Sequence, residues 1–257
     1  MVGHLRKESD ALERFYMSIY AGAAAQWRLE DPIFHSGNRC GNKRKVYDIA
    51  VLKLGRGLSM RLIFVRHGLS NDNILGKIEG HNNSGLSRKG KAQAKAAALK
   101  LKDVQIDAIY SSDLERARET AKEIARYHKT THITFTKQLR ERNWGAYEGR
   151  SLSGKEMQKW KKERDIPDFE YKSGETLNDV YNRIKNFVGK ASCKNKKTVV
   201  LVGHGYIGRV LTAIILGKPA SEVEGIPDFS NASISVFETL ENGRHRIHTI
   251  NDVAHLV

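Results

Sequence analysis

The pattern of apolar and polar positions changes character near Met60. Before it, residues 1–59 hold short, weakly periodic pieces, separated by Asp31-Pro32 and by the polar, basic run 36–45 (SGNRCGNKRK). From Met60 onward the pattern is regular. Residues 62–65 (LIFV), 106–110 and 198–202 (TVVLV) read as fully buried strands. Ser87 is placed to cap a helix with Ala94, Ala97, Ala98 and Leu101 on one face. Asp113 is expected to cap a second, with Leu114, Ala117, Ala121 and Ile124 inward. A third starts at Ser173 or Thr176 and turns Leu177, Val180, Ile184 and Val188 to the core. Ile207, Val210, Leu211, Ile214 and Ile215 form a strongly apolar helix that Gly217 and Pro219 end. Residues 233–239 alternate as a strand, and Asn242-Gly243 predicts a hairpin turn into a last one.

Apolar strands alternating with helices predict an α/β fold: a mainly parallel central sheet with helices on both faces. In such sheets the ligand lies at the carboxyl ends of the strands. Those ends carry Arg66-His67-Gly68, the run 111–116 (SSDLER) and Gly203-His204-Gly205. Two histidines and two arginines are thus expected along one edge. Arg66 and Arg116 offer planar guanidinium forks suited to phosphate oxygens. Arg116 would also sit in the first turn of a helix, where free N–H groups favour an anion. One histidine, neutral, could accept a phosphoryl group on a ring nitrogen, and a second, charged, could stabilise the transferring oxygens. A carboxylic acid would supply the leaving-group proton.

Composition narrows the classes. The chain has 257 residues, a net charge of +15 and only Cys40 and Cys193 as cysteines, which argues against a disulfide scaffold or a cysteine zinc site. The basic excess asks for an anionic partner: nucleic acid, a membrane surface or a phosphorylated substrate. No stretch is long and apolar enough to span a membrane. The apolar run 15–25 faintly imitates a signal peptide, but its flank mixes Arg6, Lys7 and Arg14 with Glu8, Asp10 and Glu13, so a cytoplasmic protein is expected. The sequence 203–208 (GHGYIG) matches a dinucleotide fingerprint. The βαβ context that fingerprint needs is missing, and no cofactor or metal is expected.

Five segments in order, residues 62–68 (LIFVRHG), 111–121 (SSDLERARETA), 139–149 (LRERNWGAYEG), 174–183 (GETLNDVYNR) and 202–205 (VGHG), resemble the motifs of the histidine phosphatase superfamily, phosphoglycerate mutase-like branch. The resemblance spans about residues 60–257 and includes the ending 251–256 (NDVAHL). It implies the three-layer sandwich of that family. It implies His67 as the nucleophile that becomes phosphohistidine. Arg66, Asn73, Arg116 and His204 would hold the phosphate, and Glu141 would be the general acid that later activates water, with Glu148 as a rival seven positions on. Leu69, Asp72 and Asn143-Trp144 depart from the mutase pattern, whereas Tyr147-Glu148-Gly149 and the ending look like the phosphatase subgroup.

The expected function is therefore a metal-independent phosphatase on small phosphate monoesters. The alternatives are a phosphoglycerate mutase-type phosphomutase and a catalytically idle, basic nucleic-acid-binding protein. The expected partner is a small phosphorylated metabolite rather than nucleic acid or a membrane, in a monomer or homodimer. Arg88, Arg140, Arg142, Arg150 and the run Lys155, Lys159, Lys161 and Lys162 are candidates to line the site's mouth, the lysines in a lid before Gly174. His81 and His255 are candidate pocket neighbours. Lys89, Lys91, Lys95 and Lys100 read as a wet helix face and Arg118 as a solvated helix position. Residues 60–257 are expected to be the catalytic domain. Residues 1–59 would be an extension of unassigned role, because Met60-Arg61-Leu62 reads as a natural start downstream of a misplaced one. The extension carries ten basic and six acidic side chains, so +11 of the +15 belongs to the domain that must attract phosphate.

Overall fold

A computed structural model describes residues 47–49 and 59–256 apart from 193–195 and 241–244, all within the compact unit Arg44–Val257. The expected Asn242-Gly243 turn and both cysteines lie outside the described residues. The strands are β1 (Tyr47–Ile49), β2 (Met60–Arg66), β3 (Ala108–Ser112), β4 (Ile133–Thr136), β5 (Thr198–Gly203), β6 (Ile234–Thr239) and β7 (His245–Asp252). The helices are α1 (Asn71–Ile74), α2 (Arg88–Leu101), α3 (Glu115–Ala125), α4 (Gly154–Glu163), α5 (Leu177–Ser192) and α6 (Gly205–Ile215).

The strands form one sheet in the order β1-β7-β6-β2-β5-β3-β4. The run β2-β5-β3-β4 is parallel, and β6, β7 and β1 add antiparallel at the other edge. Strand alternation divides the core in two. Leu62 and Phe64 of β2, with Val199 and Leu201 of β5, pack with the apolar stripes of α5 and α6. Ile63, Val65, Val200 and Val202 point the other way, to the alanine-rich faces of α2 and α3. The result is the expected three-layer sandwich.

The helix stripes lie where periodicity placed them, and Lys89, Lys91, Lys95 and Lys100 are all exposed. Ser87 caps α2 by accepting from Gly90 N at 3.0 Å. Thr176 and Asp179 cap α5 reciprocally: Asp179 N donates to Thr176 Oγ1 and Thr176 N to the Asp179 carboxylate, each at 3.0 Å. Gly217, at φ +67°, closes α6 while Lys218 N donates back to Ala213 O at 2.9 Å. Asp113 does not cap α3, because Arg140 Nε and Nη2 occupy both its carboxylate oxygens at 2.7 and 2.6 Å. The glycines of the sequence 203–208 serve packing. A β-carbon on Gly208 would stand 2.8 Å from the Phe64 ring and 2.9 Å from that of Phe229, the pair that α6 covers.

Candidate active site

The end of β2 delivers Arg66 and His67 beside the end of β5, which delivers His204 as the residue before α6. His67 N donates to Gly203 O at 2.9 Å, and Ala232 N donates to His67 O at 3.0 Å. The backbone of His67 is thus held from the end of β5 and from the turn that precedes β6. Its ring is 1% exposed and lies 5.1 Å, centroid to centroid, from the ring of His204.

Hydrogen bonding sets the tautomers. His67 Nδ1 lies 2.8 Å from the Gly68 carbonyl, which can only accept. We assign the ring proton to Nδ1, so Nε2 keeps its lone pair toward the site. Burial, then the charges of Arg116 and Arg66, hold His67 well below the ordinary imidazole range, which keeps it neutral and nucleophilic. Ser112 Oγ accepts from Leu114 N at 3.3 Å and lies 2.8 Å from His204 Nε2. We assign the hydroxyl hydrogen to that Nε2 and the ring proton of His204 to Nδ1. Burial, with Arg116, His67 and Arg66, also pushes His204 well below the imidazole range. The charged state expected for it from sequence therefore needs a phosphoryl dianion at its side.

Arg116 enters from the first turn of α3. It is anchored by Nη1 on Asn82 O at 2.6 Å and Nη2 on Gly80 O at 2.8 Å. Arg66 Nη1 donates to Phe229 O. Its guanidinium crosses the first residue of α6, where a β-carbon on Gly205 would stand 3.3 Å from Nε. Among the described residues Arg66 Nε, Arg116 Nε and His204 Nδ1 are buried donors with no hydrogen-bond partner. Leaving one buried donor unsatisfied costs about 1–3 kcal/mol, so several donors at one place mark an anion site.

Glu141 follows the turn Lys137–Leu139. Its carboxylate accepts from Arg142 N at 3.0 Å and Tyr206 N at 3.2 Å. Burial raises its pKa, and it is opposed by those N–H groups and by the charges of Arg116 and Arg66. The acid is braced from behind: Glu175 accepts from Asn143 N at 2.9 Å and pairs with Arg183 at 2.9 Å, and Arg183 Nη1 donates to Arg140 O at 3.1 Å. Glu148, the rival acid, accepts from His81 N at 2.9 Å and Trp144 N at 3.0 Å, so it pins two loops together. His81 Nε2 lies 3.0 Å from Glu141 O, beside the acid, whereas His255 Nε2 meets Ala232 O at 3.0 Å.

Of the expected mouth residues, Arg142 is placed in the interior instead. Arg142 is fully buried. It donates to the carbonyls of Glu175, Arg164 and Phe169 at 2.8, 2.5 and 3.1 Å and lies 4.8 Å over the Trp144 ring. Arg140 pairs with Asp113, and Arg150 with Glu156. Arg88 is exposed, as are Lys155, Lys159, Lys161 and Lys162 on the outer face of α4. α4 does lie between the acid motif and Gly174. It is fastened by Trp160, whose ring packs edge-on to Trp144 at 5.1 Å. Arg118 stacks 4.0 Å over Phe135 and pairs with Glu115.

Three further residues at the site are not among those expected from sequence, although Thr120 lies inside the segment 111–121. Asn231 Nδ2 bridges His67 O at 3.3 Å and Asn73 Oδ1 at 3.0 Å. Thr120 Oγ1 accepts from Gly68 N at 3.2 Å. Glu79, 8% exposed, accepts from Ser70 Oγ at 2.6 Å and Asn73 Nδ2 at 2.7 Å, facing Arg116 and His67. Its only sequence cue is its place beside Gly80, whose φ of +51° fixes a turn.

The sequence model described as histidine phosphatase superfamily (branch 1) matches residues 62–253. Phosphoserine phosphatase 1 of Hydrogenobacter thermophilus is 33% identical over 203 residues, covering 77% of this chain and 94% of that protein. Phosphoglycerate mutase-like protein 4 of Arabidopsis thaliana is 32% identical over 207 residues, covering 76% and 86%. Among solved structures, a mycobacterial glucosyl-3-phosphoglycerate phosphatase superposes with a TM-score of 0.67 at 26% identity, covering 76% of this chain and 99% of that one.

Proposed function

This chain belongs to the histidine phosphatase superfamily, branch 1, and is a phosphoric monoester hydrolase; we propose that it acts on small phosphate monoesters through a phosphohistidine at His67. The observation that carries this reading is the pairing of a neutral, carbonyl-oriented imidazole with unsatisfied buried donors around it. Arg66 Nε, Arg116 Nε and His204 Nδ1–H bind the phosphoryl oxygens, with Asn73 beside them. His67 Nε2 attacks phosphorus in line with the ester oxygen. The P–O bond breaks as Glu141, whose pKa burial raises, gives its proton to the leaving alcohol. The resulting carboxylate takes a proton from water, whose oxygen attacks phosphorus, breaks the N–P bond and releases inorganic phosphate. The arginines supply the positive charge that a metal would otherwise bring, so EDTA leaves turnover unchanged.

Residues 60–257 make up the proposed catalytic domain, with β1 an edge strand lent by the preceding segment. The mixed-sign flank of the apolar run 15–25 goes with a cytoplasmic location. Among the described residues no helix is long and apolar enough to cross a membrane. Rapid quench with labelled substrate tests the chemistry. A base-stable, acid-labile phosphohistidine on His67 is expected; its absence, with His67→Ala still active, overturns the reading. The likeness to a mutase-like relative motivates a second assay, with and without a bisphosphorylated primer. Primer-dependent isomerisation faster than hydrolysis would replace hydrolase with mutase.

A further inference from the structure

An acid lies where phosphoryl oxygen is needed. Glu79 Oε2 is 3.4 Å from Arg116 Nε and 3.9 Å from His67 Nε2, and it accepts from Asn73 Nδ2 at 2.7 Å. Oε1 is fixed by Ser70 Oγ at 2.6 Å, and Ser70 also caps the helical turn carrying Asn73. The carboxylate is thus built into the wall, yet its outer oxygen meets a clamp arginine, the amide and the nucleophilic nitrogen together. Arg116 Nε has no aligned hydrogen bond to it, so that donor stays available to a better-placed oxygen.

We propose that Glu79 is an internal competitor for the phosphoryl site, a positioning residue that weakens retention of phosphate. Its negative charge lies beside the incoming phosphoryl group and shares that group's ligands, so each phosphoryl oxygen that binds must displace or repel it. The same repulsion acts on the product. Inorganic phosphate, which has no organic part to bind elsewhere, feels it in full, whereas an ester offsets it with contacts to its alcohol portion. Glu79 therefore favours esters over free phosphate and speeds product release. Like charges a few ångströms apart in a partly desolvated site interact strongly enough to change affinity by about tenfold or more. The groups facing the carboxylate are Arg116 from α3, His67 from β2, and Ser70 and Asn73 from the α1 turn.

This inference rests on the phosphatase reading of the site, and the test separates the two. Inorganic phosphate is titrated calorimetrically into wild type, Glu79→Gln and Glu79→Asp, with melting temperatures recorded. Its inhibition constant is measured alongside KM and kcat for one aryl phosphate. Glu79→Gln should bind phosphate about tenfold more tightly, with a lower inhibition constant and a kcat limited by release. Glu79→Asp, which draws the charge back by one methylene, should fall between. Equal or weaker phosphate binding in Glu79→Gln, with its melting temperature kept, overturns the competitor role and leaves the phosphatase reading standing. If Glu79→Gln unfolds, Glu79→Asp decides alone by the same sign. Phosphate binding to none of the three overturns the site reading, and the role of Glu79 with it.

Discussion

Gly68 and Gly90 meet backbone to backbone: a β-carbon on Gly68 would stand 2.3 Å from the Gly90 carbonyl oxygen, and one on Gly90 would stand 2.0 Å from the carbonyl oxygen of Leu69. The glycine after His67 is therefore a packing requirement, since α2 presses its first turn against it. Gly90→Ala sets two effects in opposition. Helix propensity alone would stabilise α2 by about 1 kcal/mol. The clash is with backbone, which has no rotamer to give, and overpacking of this kind costs about 1–3 kcal/mol. A net fall in melting temperature of several degrees is expected, at about 2–4 °C per kcal/mol for a domain of this size. Activity should fall with it, because Leu69 N also bonds Gln93 of α2 at 2.8 Å and ties the site loop to that helix.

Arg116 spends two of its donors on Asn82 and Gly80 carbonyls and presents Nε to the site. Arg116→Lys keeps the charge and loses the fork. It should lower kcat/KM by about 100-fold, close to the loss from Arg116→Ala, if the oriented donor matters more than the charge. Near-wild-type kinetics for the lysine variant would show that charge alone suffices.

The pH profile follows from opposite shifts. As the proposed nucleophile His67 is active when neutral, and burial lowers its pKa, so activity should be lost on acidification only below the ordinary imidazole range. As the proposed acid Glu141 is active when protonated, and burial raises its pKa, so activity should be lost on the basic side only above the ordinary carboxylate range. Glu141→Gln should remove the basic limb and slow phosphorylation by alkyl phosphates far more than by aryl phosphates, whose leaving groups need no proton; with aryl phosphates the phosphoenzyme should still form in a burst but hydrolyse slowly, because the base for water is lost. Stability follows the same linkage. The lowered pKa values of His67 and His204 mean that the unfolded chain binds their protons first, so folding stability declines as pH falls through the unfolded imidazole pKa. Thermal melts across this pH range check it, and the decline should be shallower in His204→Asn.

Arg142 gathers the carbonyls of Arg164, Phe169 and Glu175 around one buried cation. Arg142→Ala would strand those of Phe169 and Glu175, whereas Arg164 O keeps the Tyr206 hydroxyl at 2.5 Å, and unsatisfied buried acceptors cost about 1–3 kcal/mol each. The expected result is a destabilised protein that is cleaved first within residues 164–175 under limited proteolysis. Unchanged melting and cleavage would mean that Trp160 and Tyr171 suffice to hold this arm.

The parts readable from sequence are those that a period or a strand end announces. β2, β5 and the stripes of α2, α3, α5 and α6 follow from apolar spacing, and the strand-end rule brought Arg66, His67, Arg116 and His204 to one edge. The strand expected at 106–110 is displaced to Ala108–Ser112, because Ile106 is buried without joining the ladder and the Asp107 carboxylate accepts from Lys197 N and Thr198 N. β4 (ITFT) is a half-exposed edge strand, so it lacks the continuous apolar signature. Arg142 and Glu79 were illegible for one reason. Both are buried charges, Arg142 held by carbonyls remote in sequence and Glu79 by Ser70 and Asn73 of the preceding turn, and the general habit of charged side chains places them in water.

Strand β2 lies between a parallel and an antiparallel neighbour, and His67 continues that double anchorage through Gly203 on one side and Ala232 on the other. A proposed nucleophile sewn into the middle of the sheet has no private way to loosen. Heat should therefore not produce a folded but chemically dead protein by local melting at this residue. Loss of turnover and cooperative collapse of the sheet should then be one event, seen as a single temperature in activity and in melting.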